Sequence, residues 1–402
     1  MFGKSIPLFK IFGFSVKLDF SWFVIALLIT WSLATGVFPS LYGGLAPGTY
    51  WWMGFAGAIG LFASIVLHEL GHSIVAQRYG LPIRGITLFI FGGVAEMEDE
   101  PQSPKIELLV AIAGPIVSVL IALVGWGLAT IGQNLVWPTA LVGVLVYLAF
   151  VNGLLVIFNL IPAFPLDGGR VLRSALWKWR GSLRWATRIT SAIGAGFGIV
   201  LISLGIVNLL LGNFLNGLWT ILIGFFLRNA ATISYQQLLL RQALEGEPVR
   251  RFMAANPIVV PPMISVQELI DDYIYRYYHK LFPVVEDDQL VGCVTADQVR
   301  SVPHTEWAGR TVLSIMDRCS AENTISPDAD AMAALARMSR TNRSRLLVVE
   351  DDKLCGIITL KDLLRFFSLK MELEDEPPAR YTQSATEQRH PNNTYGPTAP
   401  KR

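Results

Sequence analysis

His68-Glu69-Leu70-Gly71-His72 stands inside an apolar stretch, residues 51–76, that carries almost no other polar side chain. Two histidines four residues apart share one face of a helix, so both imidazoles can reach one metal ion. Glu69, between them, lies beside such an ion and can polarise a water there. An isolated histidine on an apolar helix is ordinarily a satisfied core residue. Three ionisable groups in one membrane-length span are costly and mark a functional site. Zinc at this depth needs a third ligand, a path for water and a substrate that can reach it.

The 402 residues are 52% hydrophobic and only 16% charged, too apolar for a soluble protein of this length. The length fits two or three domains. A net charge of +2 gives no support for nucleic-acid binding. Cys293, Cys319 and Cys355 lack metal-ligand spacing, which predicts a reducing compartment for the last third of the chain. No cleavable signal is evident over residues 1–17. Six apolar runs follow: 18–38, 51–76, 106–131, 138–160, 189–211 and the short 214–227. The connections 39–50, 132–137 and 212–213 hold neither Lys nor Arg. The opposite side collects Lys4, Lys10, Lys17, Arg78, Arg84, Lys105, Arg170, Arg173, Lys178, Arg180, Arg184, Arg188 and Arg228. Six spans with both termini cytoplasmic satisfy the positive-inside rule. His72 then lies about 10 Å of helix from Arg78, in the cytoplasmic half of its span.

Between the second and third spans, residues 83–96 are rich in β-branched and aromatic residues around Gly92-Gly93. This predicts extended strands about a turn or bulge. Such a hairpin is either a structural element or a strand edge that binds an extended peptide through its main chain. The fourth span ends in Asn159-Leu-Ile-Pro162-Ala-Phe-Pro165-Leu-Asp167-Gly168-Gly169-Arg170, where two prolines and two glycines cannot continue a regular helix. Broken backbone at membrane depth is tolerated where it is buried in protein or lines a cavity. Asp167 is then either a solvated residue of an interfacial turn or the third ligand. Two histidines, one carboxylate and a water make a recognised catalytic zinc set.

From about Gln242 the chain turns polar. Residues 282–295 match 346–359 at constant spacing, each a strand, an acidic turn and a second strand. Helical patterns at 266–279 and 329–341 precede the two copies. A repeat of about 60 residues, twice, predicts two similar α/β modules packed together. The segment 372–402 is polar and predicted to be disordered.

Taken together, HELGH in span two, Asn-x-x-Pro-x-x-Pro-Leu-Asp-Gly-Gly-Arg after span four and the six-span layout resemble the site-2 protease family of intramembrane zinc metalloproteases. The repeat resembles a tandem pair of CBS (cystathionine-β-synthase-type) domains. The fold expected is a polytopic α-helical membrane protein with about six transmembrane helices and a short β segment, followed by an α/β CBS pair. Its parts are a protease domain over 1–241, CBS domains over 249–308 and 309–370, and the tail 371–402. The resemblance implies one zinc ion held by His68, His72 and Asp167, with Glu69 as general base and acid. It implies that Asn159 helps hold the substrate or the developing oxyanion. It also casts the extended segment around Ile86 to Val94, with Ile86, Thr87, Leu88 and Phe89, as the substrate-pairing strand. The substrate is then a transmembrane helix of another membrane protein, locally unwound and cut near or within the bilayer, in a bacterial inner membrane or that of a bacterially derived organelle.

The chain departs from the family in places. Where the family often has Gly-Pro-x-x-Asn, Gly114-Pro-Ile-Val-Ser118 ends in serine. Ser donates one hydrogen bond where an Asn amide offers two, which puts that contact in doubt. CBS pairs often bind ATP, ADP or AMP, with an acid on the ribose in Gly-x-x-Thr-x-x-Asp. Gly356, Thr359 and Asp362 fit. The first copy has Gly292 and Thr295, but Asp297 falls one residue early and Gln298 takes the acid's place. One nucleotide near Thr359 and Asp362 is therefore one reading, with Thr295 at the equivalent position. A ligand-free module for homodimerisation or partner docking is the other. Two alternatives for the whole chain also stand. A CBS-regulated transporter or channel leaves both membrane motifs as coincidences and expects repeated halves. An inactive scaffold sits poorly with a complete ligand set and Glu69.

Overall fold

In the computed structural model, which describes residues 6–11, 14–90, 92–97 and 100–374, the chain divides into two units, Met1–Leu238 and Leu239–Arg402. The first unit carries a four-stranded sheet of β1 (Ile6–Ile11), β2 (Phe14–Leu18), β3 (Ile83–Phe89) and β4 (Gly92–Met97), in that order. β2 and β3 run parallel, and the other pairs are antiparallel. The hairpin read between spans two and three is present. The two N-terminal strands beside it were not foreseen. Their signal is a period-two alternation, Phe14, Val16 and Leu18 all buried, which runs directly into the first apolar span.

The helices are α1 (Phe20–Ser32), α2 (Phe38–Leu41), α3 (Pro47–Arg78), α4 (Pro104–Asn134), α5 (Thr139–Asn159), α6 (Asp167–Arg180), α7 (Leu183–Leu210) and α8 (Phe214–Leu244). A π-helical stretch, Leu33–Val37, joins α1 and α2 into one span. Among the described residues, six helical segments are long and apolar enough to cross a membrane, so the polytopic architecture is as expected. Asp19 caps α1, accepting from the Ser21 N–H at 2.9 Å. The sixth helix is longer than its apolar run. Apolarity marks only the lipid-facing part, while helix formers continue to Leu244. α4 packs against α3, α5 and α6.

The second unit contains β5 (Ala254–Ala255), α9 (Val266–Glu268), α10 (Tyr275–Tyr277), β6 (Leu281–Glu286), β7 (Gln289–Thr295), α11 (Ala296–Arg300), α12 (Val312–Ile315), β8 (Asp317–Arg318), β9 (Thr324–Ile325), α13 (Ala331–Thr341), β10 (Arg345–Glu350), β11 (Lys353–Thr359) and α14 (Leu360–Glu374). The repeat is visible down to its irregularities. Hairpins β6–β7 and β10–β11 each carry a register shift at the same place, Val284/Val285 and Val348/Val349. Each turns on two aspartates with positive φ, Asp287-Asp288 and Asp351-Asp352, as a tight hairpin of the right-handed twist requires. The modules also exchange short strands: β5 pairs with β11, and β8 pairs with β7. Each module has its own core, one around Val260, Leu269 and Phe282, the other around Leu346, Ile358 and Leu363. Leu240 and Leu244 of α8 pack into the second of these cores. The three cysteines are free thiols. Of the tail expected to be disordered, residues 371–374 instead continue α14, and residues 375–402 lie outside the described residues.

Candidate metal centre

α3 places His68 and His72 on one buried face, each 5% exposed. His72 Nδ1 donates to the Val110 carbonyl at 2.7 Å. A carbonyl only accepts, so this contact puts the proton on Nδ1 and leaves Nε2 with a lone pair. His68 Nδ1 pairs with Ser118 Oγ at 2.9 Å. Both outer nitrogens are thus held by α4, and both Nε2 atoms point the same way, 3.2 Å apart. Asp167, the first residue of α6, brings its carboxylate oxygens to 3.1 Å from His68 Nε2 and 3.3 Å from His72 Nε2.

Between His72 and Asp167, a lone pair and a carboxylate have no proton to share, an arrangement suited to a cation. Ligands about 2.0–2.1 Å from a tetrahedral zinc stand roughly 3.3 Å from one another, which is the spacing seen here. Space has been kept for it. A Cβ at Gly114 would fall 2.2 Å from His72 Nε2 and 2.6 Å from His68 Nε2, so only glycine fits that position. The residues therefore fit zinc.

Asp167 reaches the histidines because the chain doubles back after α5. The start of α6 lies backbone to backbone on the Leu160–Phe164 segment. A Cβ at Gly168 would be 2.3 Å from the Leu160 carbonyl, and one at Gly169 would be 2.4 Å from the Phe164 nitrogen. The two glycines are thus needed for closeness rather than for flexibility. Asn159 is the last residue of α5, half-buried at the head of this segment. Glu69 is half-buried, and a Cβ on Gly93 of β4 would lie 3.0 Å from its Cγ. The outer strand of the sheet therefore runs past Glu69.

The expectation for the strand needs correcting in its first half. Ile86, Thr87, Leu88 and Phe89 lie in β3, which is paired on both sides, to β2 and to β4. Ile86 and Leu88 sit in a core with Phe14, Leu18 and Leu70, and Thr87 is also buried. Phe89 is half-buried, its ring 5.9 Å from that of Phe226. β2 occupies the edge that a two-strand hairpin would leave open, so β3 cannot accept a further strand. β4, paired on one side only among the described residues, can.

In the second unit, Thr359 Oγ1 donates to Asp362 Oδ2 at 2.6 Å. The Thr359 N–H donates to the same oxygen at 3.1 Å, and the Asp362 N–H donates back to Thr359 Oγ1 at 3.2 Å. Thr295 and Gln298 repeat this pattern at α11. Both are capping boxes.

Sequence reading quoted Gly114 only as part of a motif and missed the Val110 carbonyl; both act through the register of α4 on α3. It also passed over a buried amide. Asn152 is fully buried, donates to Ser64 Oγ at 3.0 Å, and leaves its Oδ1 without a partner among the described residues. A lone amide in an apolar span was its available signal.

Residues 56–205 match peptidase family M50, and residues 249–304 and 313–369 each match the CBS domain. Rip3 of Mycobacterium tuberculosis is 35% identical over 375 residues, covering 93% of this chain and 95% of that protein. The zinc metalloprotease MJ0392 of Methanocaldococcus jannaschii is 32% identical over 372 residues, covering 92% of this chain and 98% of that protein. A solved structure, the site-2 protease from Methanocaldococcus jannaschii, is 31% identical, with a TM-score of 0.39 over 57% of this chain and 94% of that chain.

Proposed function

The chain belongs to peptidase family M50 and is an integral-membrane zinc metalloprotease; from that premise we propose which residues do the work and on what. His68, His72 and Asp167 hold the ion. The observation that carries this assignment is the convergence of two buried Nε2 atoms and a carboxylate on one point. Zinc bound there supplies Lewis-acid polarisation of water and of a peptide carbonyl. Glu69 takes the proton of the attacking water and passes it to the leaving amine. Asn159 offers its amide to the substrate near the developing oxyanion.

The substrate is a transmembrane segment of another membrane protein, single-pass or polytopic, unwound locally so that it can be cut. Its extended stretch pairs with β4, whose Gly93 brings the strand within contact of Glu69. Residues 1–241 are the catalytic part and 249–370 the control part. Both termini face the cytoplasm, or the stroma of an organelle of bacterial origin, in keeping with the Lys and Arg distribution.

An adenine nucleotide, ATP, ADP or AMP, binds near Thr359 and Asp362 and shifts the CBS pair between two arrangements. Its effect on cleavage is bounded by the difference in affinity for the two, about 5- to 150-fold for a typical coupling. The capping box favours a second reading of this motif. Asp362 and Thr359 already satisfy each other, so the pair also serves as a dimerising or docking module with no ligand.

The test is cleavage of a membrane-inserted substrate by the purified protein, with the cut mapped by mass spectrometry. The cut bond is expected within the hydrophobic segment. Cuts confined to soluble flanks contradict the intramembrane assignment, and an unchanged rate with millimolar ATP, ADP and AMP leaves the ligand-free reading.

A further inference from the structure

Glu107 and Arg173 form an ion pair shut away from solvent, their side chains 0% and 4% exposed. Arg173 Nε and Nη2 both bind Glu107 Oε1, and Nη2 also reaches Glu100 at 3.3 Å. The guanidinium lies over the Phe164 ring, 5.1 Å from its centre. Next to it on α6, Ser174 Oγ donates to the Pro104 carbonyl at 2.7 Å. None of these groups touches the metal set.

Their place in the fold gives them a use. Residues 107, 110, 114 and 118 form one stripe along α4, spaced three, four and four apart. Val110 and Ser118 hold the two imidazoles, and Gly114 leaves room between them. Glu107 heads the same stripe and holds α6, which begins with Asp167. Arg173 sits six residues after Asp167, and Phe164, under the guanidinium, sits three before it. The arginine thus fixes both sides of the segment that presents the carboxylate. Apolar contact alone lets a helix slide; a charge-assisted pair with two donors on one carboxylate has direction, and setting register is the best-attested use of a buried charge.

We propose that the Glu107–Arg173 pair is the positioning element that sets Asp167 against His68 and His72, so that one helix, α4, places all three ligands. This rests on the ligand assignment proposed above. The test is zinc affinity, by chelator competition, of the full-length protein in detergent, together with the melting temperature of the metal-free form. Because Arg173→Ala leaves a buried carboxylate alone and can fail to fold, the informative variant is the apolar pair Glu107→Met with Arg173→Met. It is expected to melt as the metal-free wild type does and to bind zinc about 10- to 100-fold more weakly. Restoring the cation with Lys at 173 beside Glu107 is expected to recover part of that loss. A purely structural clamp would lower metal-free melting and leave zinc affinity unchanged, which overturns the proposal. Asp167→Ala is the control: if it too binds zinc as the wild type does, the ligand assignment itself has failed.

Discussion

Two polar motifs in this chain use their side chains in opposite ways. At α14, Thr359 and Asp362 bond to one another's backbone and side chain, and the motif is closed on itself. At α3 and α6, the outer nitrogens of His68 and His72 are taken by α4, and the three remaining ligand atoms face a common point. The first arrangement is complete as a helix cap. The second is complete only with a cation. The difference lies in where the atoms are left pointing, and the presence of a motif in sequence does not reveal it. The first copy of the repeat makes the contrast sharper. Gln298 stands where Asp362 does and caps its helix equally well, so the capping role does not need a carboxylate. The acid at 362 is chemically in excess of the cap.

The largest effect expected is at the open motif. His72→Ala or Asp167→Ala should lose bound zinc and cleavage together, and zinc retained at wild-type affinity in both would end the comparison. Gly114→Ala should do nearly as much, although it removes no ligand, because the added methyl lies 2.2 Å from His72 Nε2. Full metal content in that variant would mean that α4 can back away from α3. Ser118→Ala should be milder, about 10- to 100-fold in zinc affinity, since it removes the group that orients His68. The smallest effects belong to the closed motif. Thr359→Ala and Thr295→Ala should each cost about 1 kcal/mol of stability in the second unit by denaturant unfolding. Asp362→Gln, which copies the first module, should cost almost nothing and yet abolish any response of cleavage to adenine nucleotides. A retained response would place the nucleotide elsewhere.

Much of this site was legible because its chemistry is local. HELGH is a helix-spaced pair, and the Pro-x-x-Pro-Leu-Asp-Gly-Gly run announces a broken backbone that delivers an acid. The repeat at 282–295 and 346–359 was legible because matched spacing survives in the chain itself. What stayed hidden depends on distant partners. β3 looked like an edge because residues 83–96 alone make a two-stranded hairpin; β2 covers it from some 70 residues away. Gly114 looked like part of a family signature, and its reason appears only when α4 lies against α3. The pairing of Glu107 with Arg173 spans 66 residues. α8 was read short because apolarity reports where lipid ends, and the helix does not end there.

The most direct test of the central claim is to measure zinc content and cleavage in the same preparation of Glu69→Gln. The substitution keeps the shape of residue 69 and every proposed ligand while removing the proton acceptor. The account predicts one zinc per chain, as in the wild type, and cleavage of a transmembrane substrate lowered by about 10²- to 10⁴-fold. Cleavage at the wild-type rate with zinc in place would contradict it.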